Sequence, residues 1–175
     1  RLQAGQLVQP YSVTSSGPAG LSSYGGSIGT AKMNALSDLL AQSYPDPLSR
    51  HYRSTLKNSL DWYAALNAAL ANATDVSSHF PAKGANPVAD AMQEIAKIIS
   101  VRATLGAKRQ IFFVSYGSFD THDGQLDVNS GQPHLFATIS QALASLYAAT
   151  EQLGVQNSVT SFTFSEFART LNSNG

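Results

Sequence analysis

Two apolar runs flank a helical repeat in the second half of the chain, and this arrangement constrains the fold more than any other feature. Gln110 to Tyr116 reads as a strand. Its core, Ile111-Phe112-Phe113-Val114, is apolar without alternation, which predicts cover on both faces as in a parallel sheet. Ser158 to Phe164 reads as a second strand. Between them Pro133 opens a helix with Leu135, Ile139, Leu143, Leu146, Thr150 and Leu153 on one face and Gly154 at its end. The order strand, loop, helix, strand predicts a parallel βαβ unit and an α/β fold class.

The first half carries different signals. Residues 1–30 hold six of the 13 glycines and read as loop, with one short strand around Leu7 to Val13. Residues 31–86 read as helical. A short helix over Ala31–Ser43 buries Leu36, Leu39 and Leu40 and ends before Pro45. A longer one over Tyr52–Asn72 places Leu56, Leu60, Tyr63, Leu66 and Leu70 at helical spacing. Asn86-Pro87 reads as an N-cap followed by proline at the first helical position, with Val88, Met92, Ile95 and Ile99 as the buried stripe and Gly106 as a stop. Residues 87–175 form the predicted helix-strand-helix-strand core of a single, incomplete α/β domain. A start at Arg1 and an end at Leu171-Asn172-Ser173-Asn174-Gly175 read as an internal piece of a longer chain.

Composition narrows the chemistry. Eleven basic and eleven acidic residues leave no net charge, so no nucleic-acid partner is expected, because such binding leans on a basic excess. No apolar run approaches the ~18 residues that span a bilayer. The absence of cysteine excludes disulfides, thiolate metal sites and a cysteine nucleophile. There is no phosphate-binding glycine loop and no serine elbow.

Polar groups collect instead just after the two predicted strands. In open α/β sheets that is where sites form. Asp120, His122 and Asp123 follow the first strand, and Ser165, Glu166 and Arg169 the second. Carboxylate oxygen and neutral imidazole nitrogen suit zinc or manganese. The same residues also read as turn formers, with Asp120 a cap, Asp123-Gly124 a β-turn and His122 solvated. Spacing alone favours that reading, and Glu166 with Arg169 equally reads as an ion pair at a helix start. His51, His79 and His134 read as surface residues, His134 being the one near the candidate site in sequence.

The segment from Phe112 to Gln125, FFVSYGSFDTHDGQ, followed by VTSFTFSEFARTLNSNG from Val159 to Gly175, resembles the bacterial family called domain of unknown function 1501. That family shows a strand, then G-G-F-D-T-H with a nearby Gln, then a helix and V-T-x-x-T-x-S-E/D-F-G-R-T. The likeness covers residues 87–175 well and the first 86 loosely. Ser118 stands where the second glycine is usual, and Ala168 where glycine follows Glu-Phe.

Members of the family are longer and resemble the alkaline-phosphatase-like superfamily, which includes sulfatases. The resemblance therefore implies part of an alkaline-phosphatase-like sheet with flanking helices. It implies an exported, periplasmic or extracytoplasmic, metal-dependent hydrolase of phosphate or sulfate esters. Asp120 and His122 would ligate one divalent ion, zinc or manganese, and Glu166 would be a further ligand or a carboxylate beside it. Arg169 would serve catalysis by holding an anionic oxygen of the small-molecule ester. Phe167 stands where the superfamily's second motif has histidine. The nucleophile and the next family landmark would be supplied by the remaining parts of a parent chain, so these 175 residues are expected to be inactive alone. The competing implication is a non-catalytic exported binding or structural protein on the same scaffold.

Overall fold

The computed structural model describes residues 12–22, 24 and 26–166. The chain divides into two compact units, Arg1–Asn72 and Ala73–Gly175. No helix among the described residues is long and apolar enough to cross a membrane.

The first unit is built from local signals. A two-residue antiparallel hairpin, β1 (Val13–Thr14) and β2 (Gly17–Pro18), pairs Val13 with Pro18 and Thr14 with Gly17. Helix α1 (Gly26–Ala41) follows, then α2 (Pro47–Leu70). Asp46 caps α2 by accepting from the Ser49 amide at 2.9 Å, and Pro47 occupies the first helical turn, where its missing N–H costs nothing. The last carbonyls of α1 have no intrahelical donors. Tyr44 Oη donates to Leu39 O at 3.0 Å and Arg53 Nε to Leu40 O at 2.6 Å. The first bond folds the connecting loop back on α1, and the second ties α2 to the end of α1. Beside them lies an apolar groove of about 510 Å³ walled by Leu36, Leu40, Leu48, Tyr52 and Leu56.

In the second unit, α3 (Pro87–Ser100) packs on α4 (Gln132–Gln152). Ala89 and Ala96 on α3, and Ala142 and Ala149 on α4, are all buried, each pair two helical turns apart. Small side chains at that spacing let two helices approach closely. One core cluster joins Val76, Ala96, Leu146 and Ala149, with Phe80, Met92, Ile95 and Leu153 against it. A second joins Val88, Ala89 and Ala142, with Phe80, Met92, Val114 and Tyr116. Asn86 fastens the start of α3. Its Oδ1 accepts from the Val88 and Ala89 amides at 3.0 and 2.9 Å, while its Nδ2 donates to Thr138 O and Gln141 Oε1 on α4. The segment before α3 is held by Thr74 N donating to Ser100 Oγ and by Gln152 Nε2 donating to Asp75 O.

The expected α/β architecture, an alkaline-phosphatase-like sheet with a parallel βαβ unit, is overturned. The described residues are mainly helical, and the hairpin of β1 and β2 is their only sheet. The reason is pairing. A strand exists through a ladder with a neighbour, and no backbone hydrogen bond joins Gln110–Tyr116 to Ser158–Phe164. Side chains alone bring the two segments together, Phe113 and Phe164 having ring centroids 6.1 Å apart. Nor are both faces covered. Val114 and Tyr116 pack on the helices, but Ile111 is 96% exposed, Phe113 63% and Phe162 80%. An apolar run reports that a segment can be buried; it does not supply the neighbouring strand.

The helix between those segments forms as read, over Gln132–Gln152 with Pro133 in its first turn. The helices of the first half run longer than their apolar repeats, α1 from Gly26 and α2 from Pro47. The expected strand around Leu7 lies outside the described residues up to Tyr11, as do Phe167, Ala168, Arg169 and the rest of the expected turn or helix beyond Glu166.

Candidate functional site

The polar cluster after Tyr116 sits on a constructed loop. Phe119 anchors its first part: its ring meets Tyr116 edge-on at 6.1 Å and Phe136 of α4 at 5.5 Å. The residue before it, Ser118, has φ 72°, the only positive φ outside glycine among the described residues. L-residues adopt this left-handed conformation at a cost of about 1–2 kcal/mol, and such strain gathers at functional loops. The glycine usual here in the resembled pattern thus answers a backbone demand.

The second part of the loop closes on itself. Asp127 N donates to Gly124 O at 3.0 Å, Gly131 N to Asp127 O at 2.8 Å and Gln132 N to Gln125 O at 2.9 Å. Gly131 is required by space: a Cβ there would lie 2.6 Å from the Asp127 and Gln125 carbonyl oxygens. The Asp127 carboxylate accepts from the Asn129 and Ser130 amides at 2.7 and 3.0 Å. These amides, Asn129 foremost, hold its pKa below the ordinary 3.8.

Asp120 and His122 stand between these two anchored parts. Asp120 Oδ2 lies 3.4 Å from His122 Nε2, with side chains 64% and 88% exposed respectively. As an ion pair this contributes almost nothing to stability, because water screens both groups. As a ligand pair the separation is apt. Two bonds of about 2.0–2.2 Å opened to a tetrahedral angle put donor atoms about 3.4 Å apart. The residue types and their spacing therefore fit two ligands of a zinc-like ion. The set stops at two: no group of three His, Cys, Asp or Glu close enough for a metal occurs among the described residues. Asp123 and His134 are exposed close by in sequence, and neither joins the pair. Glu166 is exposed and is likewise not brought to it, and Arg169 lies outside the described residues.

The sequence singled out Asp120, His122 and Asp123, yet it missed the parts that position them. Phe136 directly follows Leu135 of α4's apolar stripe, and no spacing rule names Phe119 as its partner. Gly131 carried the one available signal, a glycine directly before a helix opened by Gln132-Pro133.

No curated protein and no solved structure matches this chain. The family model described as a protein of unknown function, DUF1501, matches residues 6–175, nearly the whole chain and well beyond the stretch that carries the motifs, and the chain belongs to that family.

Proposed function

We propose that this chain contributes a divalent-cation site to an exported hydrolase of small anionic esters, the phosphate and sulfate esters implied by its motifs. The observation that carries the reading is the 3.4 Å separation of Asp120 Oδ2 and His122 Nε2 on a loop anchored on both sides. Zinc or manganese bound there would polarise an ester oxygen and lower the pKa of a coordinated water. The chain's own residues have separable tasks. Asp120 supplies a negative oxygen, His122 a neutral nitrogen, and the Phe119 contacts and the Gly124–Gln132 hydrogen bonds limit how far the pair moves. Glu166 adds a carboxylate as a further ligand or beside the ligands. Arg169 holds an anionic oxygen of the ester, a task suited to a planar guanidinium.

Two exposed donors bind a cation weakly and leave coordination positions open. On this reading these 175 residues contribute cation binding, and catalysis would need further ligands and a nucleophile beside the pair. The high exposure of the pair also favours a second reading, a non-catalytic exported protein that uses this loop for binding.

Calorimetric titration with zinc and with manganese tests the proposal. Binding by the native chain that is lost in both Asp120→Ala and His122→Ala supports it. Binding should also weaken at acid pH, since the imidazole must be neutral to ligate. Absence of binding to a folded native chain refutes the cation site and leaves the non-catalytic reading.

A further inference from the structure

The loop holds a second kind of chemistry at Asp123-Gly124, the one Asp-Gly step in the sequence. Asp123 is exposed. Among the described residues its carboxylate takes part in no ion pair or hydrogen bond, unlike that of Asp127. Gly124 has φ +59°, and nothing beyond its chain neighbours lies within 4 Å of where a Cβ would project, so this side of the residue is open. The turn that starts at Gly124 uses its carbonyl, which accepts from Asp127 N; no backbone hydrogen bond occupies its N–H. A carboxyl group outside any ion pair or hydrogen bond therefore adjoins an amide that no backbone hydrogen bond engages, in a residue open on its Cβ side.

The other aspartates lack this combination. Asp46 precedes Pro47, which has no N–H. Asp38, Asp61 and Asp90 lie within helices, where the following amide is bonded. Asp75 and Asp127 have carboxylates already accepting backbone hydrogen bonds and are followed by β-branched valines. Asp120 is followed by β-branched Thr121.

We propose that Asp123 is a site of spontaneous isoaspartate formation. The Gly124 nitrogen bonds to Asp123 Cγ, and a Cγ–O bond breaks. Water leaves with the carboxyl oxygen, the amide hydrogen and one proton, closing a five-membered succinimide. Solvent water then opens the ring. Addition at Cγ restores aspartate. Addition at the main-chain carbonyl of residue 123 breaks its bond to the Gly124 nitrogen, and the chain then runs through Cβ and Cγ. The product inserts one methylene into the main chain and leaves the carboxylate on Cα. It does so between the Asp120–His122 pair and the hydrogen-bonded turn that begins at Gly124. The modified chain becomes a substrate for a carboxyl methyltransferase that recognises isoaspartate, which supplies the readout. The inference is independent of metal binding.

The native chain and the Asp123→Glu variant are aged at neutral pH and 37 °C beside a synthetic peptide of Phe119 to Leu126. Isoaspartate is read by methyl transfer and placed by electron-transfer fragmentation. The expected result is accumulation at Asp123 above that at every other aspartate, and loss of this signal in Asp123→Glu, whose ring would be larger and closes poorly. Conversion in the peptide with none at Asp123 of the folded chain would overturn the proposal. So would equal conversion at Asp120 or Asp127.

Discussion

Replacing Asn86 with alanine should cost about 2–4 kcal/mol, more than a helix cap alone. The side chain has two separate roles. Oδ1 accepts from the Val88 and Ala89 amides, both in buried residues, so alanine leaves donors that water cannot readily reach. Loss of such a cap costs about 1 kcal/mol, with a range of about 0.5–2. Nδ2 donates to Thr138 O at 2.9 Å and to Gln141 Oε1 at 3.0 Å, bonding α3 to α4. Each of those bonds contributes about 0.5–1.5 kcal/mol net. Urea unfolding followed by far-UV circular dichroism measures the change, with an unaltered slope as evidence that the unfolded state is the same. Trp62, the only tryptophan, lies in α2 of the other unit, so its fluorescence is the wrong probe. Asn86→Asp separates the roles, because it keeps the cap acceptor and loses the donor to α4. It should fall below the native protein and retain protection of the first α3 amides in hydrogen exchange. A loss under about 0.5 kcal/mol in Asn86→Ala would refute the argument that buried caps cannot be replaced by water. An Asp variant as stable as the native chain would refute the role of the cross-helix bonds.

Two further outcomes are expected from the loop. Ser118→Gly should stabilise the protein by about 0.5–1 kcal/mol, since release of left-handed strain exceeds the added entropy of glycine in the unfolded chain; a lowered urea midpoint would contradict the φ of 72° as a strained state. The Asp127 carboxylate, with its folded pKa depressed below 3.8 by the Asn129 and Ser130 amides, contributes stability above its unfolded value that is lost as pH falls through the folded one. The stability gap between native and Asp127→Ala should therefore be full near neutrality and close below pH 3.8. A gap independent of pH would show that the capping bonds do not depend on charge.

What the sequence made legible was chemistry that acts within a few residues. Asn86-Pro87 announced the start of α3, and Gly131-Gln132-Pro133 contained the start of α4. Asn86 works through bonds to amides two and three positions away, and Pro133 through a ring that presets the first helical turn, so the local pattern suffices. The partners of Asn86 on α4 lie 52 and 55 positions further on, and no spacing rule names them. The core was read only in part for a similar reason: Leu135, Leu146 and Thr150 of the predicted face are buried, but its alanines went unnamed. The leucines and isoleucines of α4 marked its apolar face, but Ile139 and Leu143 are half-buried while Ala142 and Ala149 are wholly enclosed. Side-chain bulk signals hydrophobicity; the closeness of two helices is decided by its absence. The α/β reading failed at the same boundary, because the strands it required were non-local by definition.

The candidate site lies across that boundary. Asp120 and His122 are two residues apart, and their proximity is nearly automatic. Its value as a site depends instead on restraint, which comes from α4 through Phe136 and from the bonds that close Gly124 to Gln132. Ser118 joins the two scales. In the sequence it is one departure from a motif that has glycine. In the structure it is the point where the chain leaves Tyr116, takes a left-handed turn and aims Phe119 at α4. The strained φ persists because Phe119, one residue on, is held by rings on both sides. The motif's glycine and its phenylalanine thus act as one device, a turn and its anchor. Truncating Phe119 should widen the spread of Asp120–His122 distances before it alters the stability of the helices beneath.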